Sequence, residues 1–175
     1  MSPRRPRLGI ISNKLSRAGG TDRARFGTAG AGLPHAEPTS RAELRDALHG
    51  FAARGVDLLA VQGGDGTLRE VLTALPGAGF ETPPAIAVLS AGKTNLAARV
   101  LGSAGMGEAG LSRLLQAAER GMLKRRALPV LEVSRPGEPP LRGVLFGAAA
   151  FTEGNKLAEA RLHRRGVHDA AAVAL

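Results

Sequence analysis

The sequence predicts an α/β fold in which a parallel sheet is flanked by helices, followed by the start of a β-rich second domain. Short apolar runs alternate with segments whose apolar residues recur at helical spacing. Strands that alternate with helices imply crossover connections, a parallel sheet and a ligand at the carboxyl ends of the strands. The pattern changes after residue 122, so we expect domains at residues 1–122 and 123–175.

The first elements are a strand over Leu8–Ile11 and a helix that begins near residue 40. Ser40 and Glu43 form a capping box, and apolar residues then recur on one helical face until Gly55. Between Asn13 and Pro38 the chain is polar and rich in glycine, and no element is predicted there.

Two strand–turn–helix units follow. Residues 56–62 form a short apolar run that predicts a buried strand, and a helix is expected over 67–75. Ala85–Leu89 predicts a second buried strand, which leads through small residues into a helix over Asn95–Leu101. Strands that alternate with helices in this way are typical of an α/β domain with a parallel sheet.

A last helix is predicted before the pattern changes. Its apolar residues include Leu111 and Leu114, and it ends at Gly121. Residues 127–133 and 141–151, separated by a Pro- and Gly-rich stretch, then predict a β-hairpin rather than another strand–helix unit.

The turn after the 56–62 strand contains three glycines around one carboxylate. We expect Gly63, Gly64 and Gly66 to adopt positive φ and to leave no Cβ between the backbone N–H groups and an anion. The helix that begins near Thr67 adds unpaired N–H groups and the positive end of its dipole. This turn therefore predicts a nucleotide phosphate site.

Asp65 stands within that turn, where a carboxylate would repel a phosphate unless a cation or proton lies between them. We expect Asp65 to face magnesium or a substrate hydroxyl; the alternative is that it caps a helix. Glu70 lies about one helical turn further on and either faces the same cleft or is a solvated helix residue.

Three turns follow strands and should meet at one edge of the sheet: residues 12–17, 63–67 and 90–95. This convergence is a second argument for a single nucleotide site. Gly92-Lys93-Thr94 also matches the end of a P-loop, but Ala87 stands where a P-loop requires its first glycine.

The motif Gly63–Val71 resembles the glycine-rich motif of the diacylglycerol kinase catalytic domain family of lipid kinases, and more distantly the turn of NAD kinases and phosphofructokinases. Leu8–Arg17 resembles the family's first strand and loop, with matches at Asn13 and Ser16. Ala91–Arg99 resembles a later family segment. The departures from the family pattern are Lys14, Arg17, Lys93 and Leu96, which stands where an Asp is usual.

The resemblance implies a lipid kinase that transfers the γ-phosphate of ATP, with Mg²⁺, to a lipid hydroxyl such as that of diacylglycerol. Asp65 would be the catalytic residue and would act on the metal. The family's second domain, a β-sandwich, helps enclose the lipid, and we expect this chain to contain only its start. The residues expected to bind the nucleotide are Asn13, Ser16, Gly63, Gly64, Gly66, Thr67, Glu70, Gly92, Lys93, Thr94 and Asn95.

Two other functions stay open. A non-catalytic or truncated ATP-binding domain is favoured by the short chain and by Leu96. An enzyme like the NAD kinases is disfavoured because none of that family's later motifs is found.

The composition of the chain limits the kinds of partner that we expect. A net charge of +9 favours an anionic partner, while the absence of Trp and Tyr argues against stacking with nucleic-acid bases. We therefore expect peripheral contact with an anionic membrane and no nucleic acid. The alternative is that the Ala-, Gly- and Arg-rich composition reflects the general residue usage of the genome and indicates no partner. The chain has no cysteine, which fits the cytoplasm, and its four histidines lack metal-ligand spacing and are expected on the surface.

Overall fold

The computed structural model describes residues 5–13, 26–90 and 96–144. They contain a four-stranded parallel sheet and a separate two-stranded antiparallel hairpin. The sheet has the spatial order β2-β1-β3-β4, and the predicted α/β fold is confirmed. Its strands are β1 (Leu8–Ser12), β2 (His35–Ala36), β3 (Leu58–Gly63) and β4 (Ala85–Ser90).

Four helices follow the predicted order. They are α1 (Arg41–Ala53), α2 (Asp65–Ala74), α3 (Leu96–Leu101) and α4 (Gly107–Glu119). Helix α2 begins two residues earlier than predicted, at the carboxylate of the glycine turn. No helix in the described part of the chain has the length and hydrophobicity that crossing a membrane requires.

The two central strands, β1 and β3, are buried along their whole length. Their side chains alternate between two core clusters, as the pleat of a strand requires. Ile11 and Val61 pack with α1 and α2, whereas Ile10 and Ala60 pack with α4 and Phe26. Both faces of the sheet are therefore covered, so a ligand-binding site must lie at an edge of the sheet.

Helix α1 begins at the predicted capping box, but the second of the two capping hydrogen bonds has a different donor from the expected one. Ser40 Oγ accepts the N–H of Glu43 at 3.1 Å, whereas the Glu43 carboxylate accepts the N–H of Thr39 at 2.7 Å instead of that of Ser40. The helix ends before Gly55, which adopts φ +67°. A left-handed residue at this place is a common helix end, and glycine adopts it without steric cost.

The stretch predicted to lack elements contains two short ones, so that prediction was wrong. Gly27–Gly30 forms a 3-10 turn after the buried Phe26, and β2 pairs with β1 in parallel. A strand of two residues is too short to produce a periodic pattern. His35, expected on the surface, is half-buried in this strand, and its ring meets that of Phe26 edge-on at 5.2 Å.

Strand β4 is less buried than predicted. Ala85, Ile86 and Ala87 are only partly covered, because β4 is an end strand of the described sheet. Its outer edge is closed by backbone contacts rather than by another strand: Ser90 N–H donates to Gly105 O at 2.9 Å, and Ala104 N–H donates to Val88 O at 3.3 Å.

The predicted hairpin is present with a shorter turn and with its first strand beginning four residues later than predicted. Its strands are β5 (Leu131–Arg135) and β6 (Glu138–Gly143), joined by Pro136 and Gly137. Residues 145–151 of the predicted second strand lie outside the described part of the chain. Proline followed by a glycine at φ +77° is the pair that a type II turn favours. The hairpin rests on α2, where Thr73 Oγ1 accepts the N–H of Arg142 at 2.9 Å. The predicted division at residues 122/123 stays a prediction.

Candidate functional site

The carboxyl ends of β1 and β3 are joined by two hydrogen bonds. Asn13 donates its backbone N–H to Gln62 O and its side-chain Nδ2–H to Thr67 Oγ1, both at 3.1 Å. Thr67 lies in the first turn of α2, so the predicted residues Asn13 and Thr67 do meet. The loop that leaves β1 is thus held beside the glycine turn that leaves β3.

The glycines of this turn differ from the prediction in their backbone conformation. Gly63 ends β3, Gly64 precedes α2 with φ −93°, and Gly66 is helical. None of the three has a positive φ, so that part of the prediction was wrong. Gly63 is required by space instead, because a Cβ there would lie 2.5 Å from Thr67 Cβ.

The amino end of α2 is open. Its first residue is Asp65, and no side chain from Gly64 caps it. The first helical hydrogen bond runs from Leu68 N–H to Gly64 O, which leaves the preceding N–H groups without a helical acceptor. Among the described residues, a Cβ at Gly66 would meet nothing within 4 Å, so they leave space beside it. Such an end binds an anion readily.

Asp65 connects this turn to the next helix. Its Oδ2 accepts the N–H of Leu96 at 3.1 Å, and its Oδ1 accepts the N–H of Ala97 at 2.8 Å. The carboxylate therefore caps α3 as well as lying beside the open end of α2. Each oxygen can accept a further bond, so capping leaves coordination capacity for a cation or hydroxyl.

A magnesium ion would have one carboxylate here. Among the described residues no group of three His, Asp or Glu side chains is placed to hold a metal. Mg²⁺ is commonly bound through one or two carboxylates together with substrate phosphates and water. Asp65 beside the open amino end of α2 fits that donor set, whereas the described residues form no metal site made wholly of protein ligands.

Glu70 is occupied by arginines. Its carboxylate accepts Arg41 Nε–H at 2.8 Å and Arg41 Nη2–H at 3.2 Å, and also Arg69 Nη2–H at 2.9 Å. Burial raises the pKa of Glu70, but the hydrogen bonds from Arg41 and Arg69 outweigh it and hold the pKa below its usual value. Glu70 thus joins α1 to α2, and its expected contact with the nucleotide stays a prediction.

Glu70→Gln should lower the free energy of unfolding at neutral pH by roughly 0.2–1 kcal/mol, since the pair is partly exposed and screened. A lowered pKa means that the stabilisation is present above the ordinary pKa of glutamate and is lost as the pH falls through the lower, folded-state value. Urea unfolding at neutral and acidic pH would measure this. The control is Glu81→Gln, at an exposed position, which should leave the free energy of unfolding nearly unchanged at neutral pH. An equal loss from Glu70→Gln at both pH values would contradict the prediction.

A partly buried polar cluster lies beside the site, and its members were not predicted as site residues. Ser12 Oγ donates to Glu37 Oε1 and is bonded to His35 Nε2, each at 2.7 Å. Ser12 has one hydroxyl proton, so His35 must donate in the second bond. Gln62, fully buried next to Ser12, finds no side-chain hydrogen-bond partner among the described residues. A polar residue inside an apolar run was the available signal for Ser12 and Gln62.

Several predicted residues lie outside the described part of the chain. They are Ser16 in the loop after β1, and Gly92, Lys93, Thr94 and Asn95 in the turn after β4. Of the expected meeting of three loops, the contact between Asn13 after β1 and the first turn after β3 is seen directly, while residues 14–17 of the first loop lie outside the described part of the chain. For the third loop the meeting is seen only through α3, whose first N–H groups reach Asp65.

Comparison with known proteins gives a family match. The diacylglycerol kinase catalytic domain family matches residues 14–124, more than half of the chain. That range includes the glycine turn, α2 and α3. No curated protein sequence matches the chain.

Solved structures resemble the fold. The crystal structure of a candidate diacylglycerol kinase from Bacillus anthracis strain Sterne is 24% identical with a TM-score of 0.50, over 65% of this chain and 40% of that one. A second structure, of a diacylglycerol kinase from the same strain, gives the same values. The chain thus spans two fifths of the length of these structures.

Proposed function

The chain belongs to the diacylglycerol kinase catalytic domain family, and on this premise we propose that it binds ATP and transfers the γ-phosphate to a lipid hydroxyl. The observation that carries the proposal is the open amino end of α2 beside Asp65. It combines unpaired N–H donors for phosphate with a carboxylate within the same turn.

The phosphates would lie against the first N–H groups of α2, where Gly66 leaves room for them. Asn13 would keep the loop after β1 against this turn through its bond to Thr67. Ser16 and the segment Gly92–Asn95 are proposed to complete the nucleotide site. Positioning and charge neutralisation supply most of the catalysis in such reactions.

In the proposed reaction the acceptor oxygen forms a bond to the γ-phosphorus, and the bond from that phosphorus to the β-phosphate bridging oxygen breaks. The hydroxyl proton leaves the acceptor, and ADP carries away the bridging oxygen. Asp65 would receive the proton or hold Mg²⁺, which supplies charge neutralisation of the phosphates when bound. Its bonds to α3 fix the carboxylate in place for either role.

The test is transfer of label from terminally labelled ATP into the organic phase, with Mg²⁺ and a mixed lipid extract in detergent micelles. Labelled lipid would support the proposal, and its identity would name the acceptor. Folded protein that binds ATP and labels no lipid would instead favour a non-catalytic nucleotide-binding domain. In a parallel reaction supplied with NAD instead of lipid, transfer of label to the dinucleotide would favour an enzyme like the NAD kinases.

A further inference from the structure

One exposed segment outside the nucleotide site carries a dense positive charge. We define the basic strip as residues 120–130, between the end of α4 and the start of β5. Four of its first seven residues are cations, and all four are exposed: Arg120, Lys124, Arg125 and Arg126. A density of this kind on one short surface segment favours an anionic partner.

These cations have no carboxylate partner among the described residues. The nearest acids along the chain are already engaged, since Glu119 lies 3.6 Å from Arg5, and Glu132 pairs with Arg142. Elsewhere in the chain, an arginine that faces a carboxylate, such as Arg41 with Glu70, has its charge neutralised by an ion pair. The strip therefore presents its full charge to solvent.

The strip also exposes apolar side chains. Met122 is 66% exposed, the highest value among the large apolar residues described, and Val130 is 46% exposed. Leu123 turns the other way and packs against the core on the α4 face of the sheet. The segment is therefore anchored from beneath while cations and a flexible methionine point outward.

The strip crosses the outside of the domain. It starts beside the entry to β1, where Glu119 meets Arg5, and ends just before Leu131, which pairs with Gly143. Arg142 bonds to Thr73 of α2, and Val144 packs against the apolar cluster that includes Leu72 of the same helix. The strip thus leads from the amino edge of the sheet towards α2.

We propose that the basic strip is a docking surface for an anionic lipid membrane, with Met122 entering the interface and the four cations facing the headgroups. Exposed methionine favours a lipid surface over nucleic acid, because a phosphodiester backbone offers no apolar layer. The inference rests on the proposed function in one respect, because an enzyme that phosphorylates a lipid reaches that lipid at a membrane. Membrane binding itself requires neither ATP nor phosphoryl transfer.

The test is flotation of the full chain with phosphatidylcholine vesicles that contain or lack phosphatidylglycerol. We expect binding to the anionic vesicles only. The triple variant Lys124→Gln, Arg125→Gln, Arg126→Gln should weaken it on the order of a hundredfold at low salt, since each cation near the surface contributes about fivefold. Met122→Ser should weaken binding several-fold, and this loss should persist at high salt because it is not screened.

The matched control removes three positive charges elsewhere, in Arg45→Gln, Arg54→Gln, Arg135→Gln. An equal loss in this control would show a general charge effect and overturn the strip as the docking surface. Failure to bind anionic vesicles, or strip-dependent binding to duplex DNA alone, would also overturn it. Lipid phosphorylation in detergent micelles separates the two proposals, because it tests the kinase without requiring vesicle binding.

Discussion

Asp65→Ala is expected to lower phosphoryl transfer at least about a hundredfold, because it removes the carboxylate in the first turn of α2, at its open end. The same change deprives Leu96 and Ala97 of their N–H acceptor. Loss of a helix cap costs about 0.5–2 kcal/mol, so a moderate fall in stability should accompany the loss of activity. Labelled transfer to lipid and urea unfolding of the same preparation would measure both effects.

Asp65→Asn separates the two roles of this residue. The amide oxygen can still accept one N–H from α3, but the side chain can neither take up a proton nor supply a charged ligand to Mg²⁺. We expect the Asn variant to be nearly as inactive as the Ala variant and more stable than it. Activity restored by Asn would mean that Asp65 acts only as a cap. Asp46→Ala, on the exposed face of α1, is the control and should change neither quantity much.

Local sequence signals predicted the elements that depend on them. The side chain of Ser40 caps α1 as its spacing with Glu43 indicates, and the apolar residues of α1 and α4 face the core. The order of strands and helices placed the glycine turn at the carboxyl end of β3. Each of these features is encoded within a window of a few residues.

Partners distant in the sequence could not be predicted in this way. Asp65 bonds to backbone N–H groups about thirty residues later, and Glu70 bonds to Arg41, which precedes it by 29 residues. Nothing in the local pattern around either acid specifies those contacts. The two-residue strand β2 likewise exists because β1 offers an edge, and its own sequence has no periodicity.

At the glycine turn, one feature could be predicted from the local sequence and another could not. The composition of the turn correctly indicated that the backbone closely approaches another group. A positive φ, however, is not the reason that glycine is required at position 63. The close neighbour is the side chain of Thr67, one turn into the following helix. That packing requires β3 and α2 to meet at a particular angle, which only the folded structure specifies.

Gly63→Ala should therefore be strongly disruptive despite being a small change. The new Cβ would lie 2.5 Å from Thr67 Cβ, and a β-branched threonine held by Asn13 has few ways to move aside. We expect a loss of about 1–3 kcal/mol in the free energy of unfolding, as overpacking of a core produces. Displacement of the first turn of α2 should also weaken ATP binding. Urea unfolding and calorimetric titration with ATP would measure the two effects.

Gly66→Ala is the matched control, and it should behave in the opposite way. A Cβ at this helical position meets nothing within 4 Å, and alanine is favoured over glycine in a helix by up to about 1 kcal/mol. Stability should be unchanged or higher, while ATP binding falls because the Cβ occupies the space proposed for phosphate. Equal stability losses in the two variants would contradict the packing argument for Gly63. Undiminished ATP binding by Gly66→Ala would place the phosphates away from the end of α2.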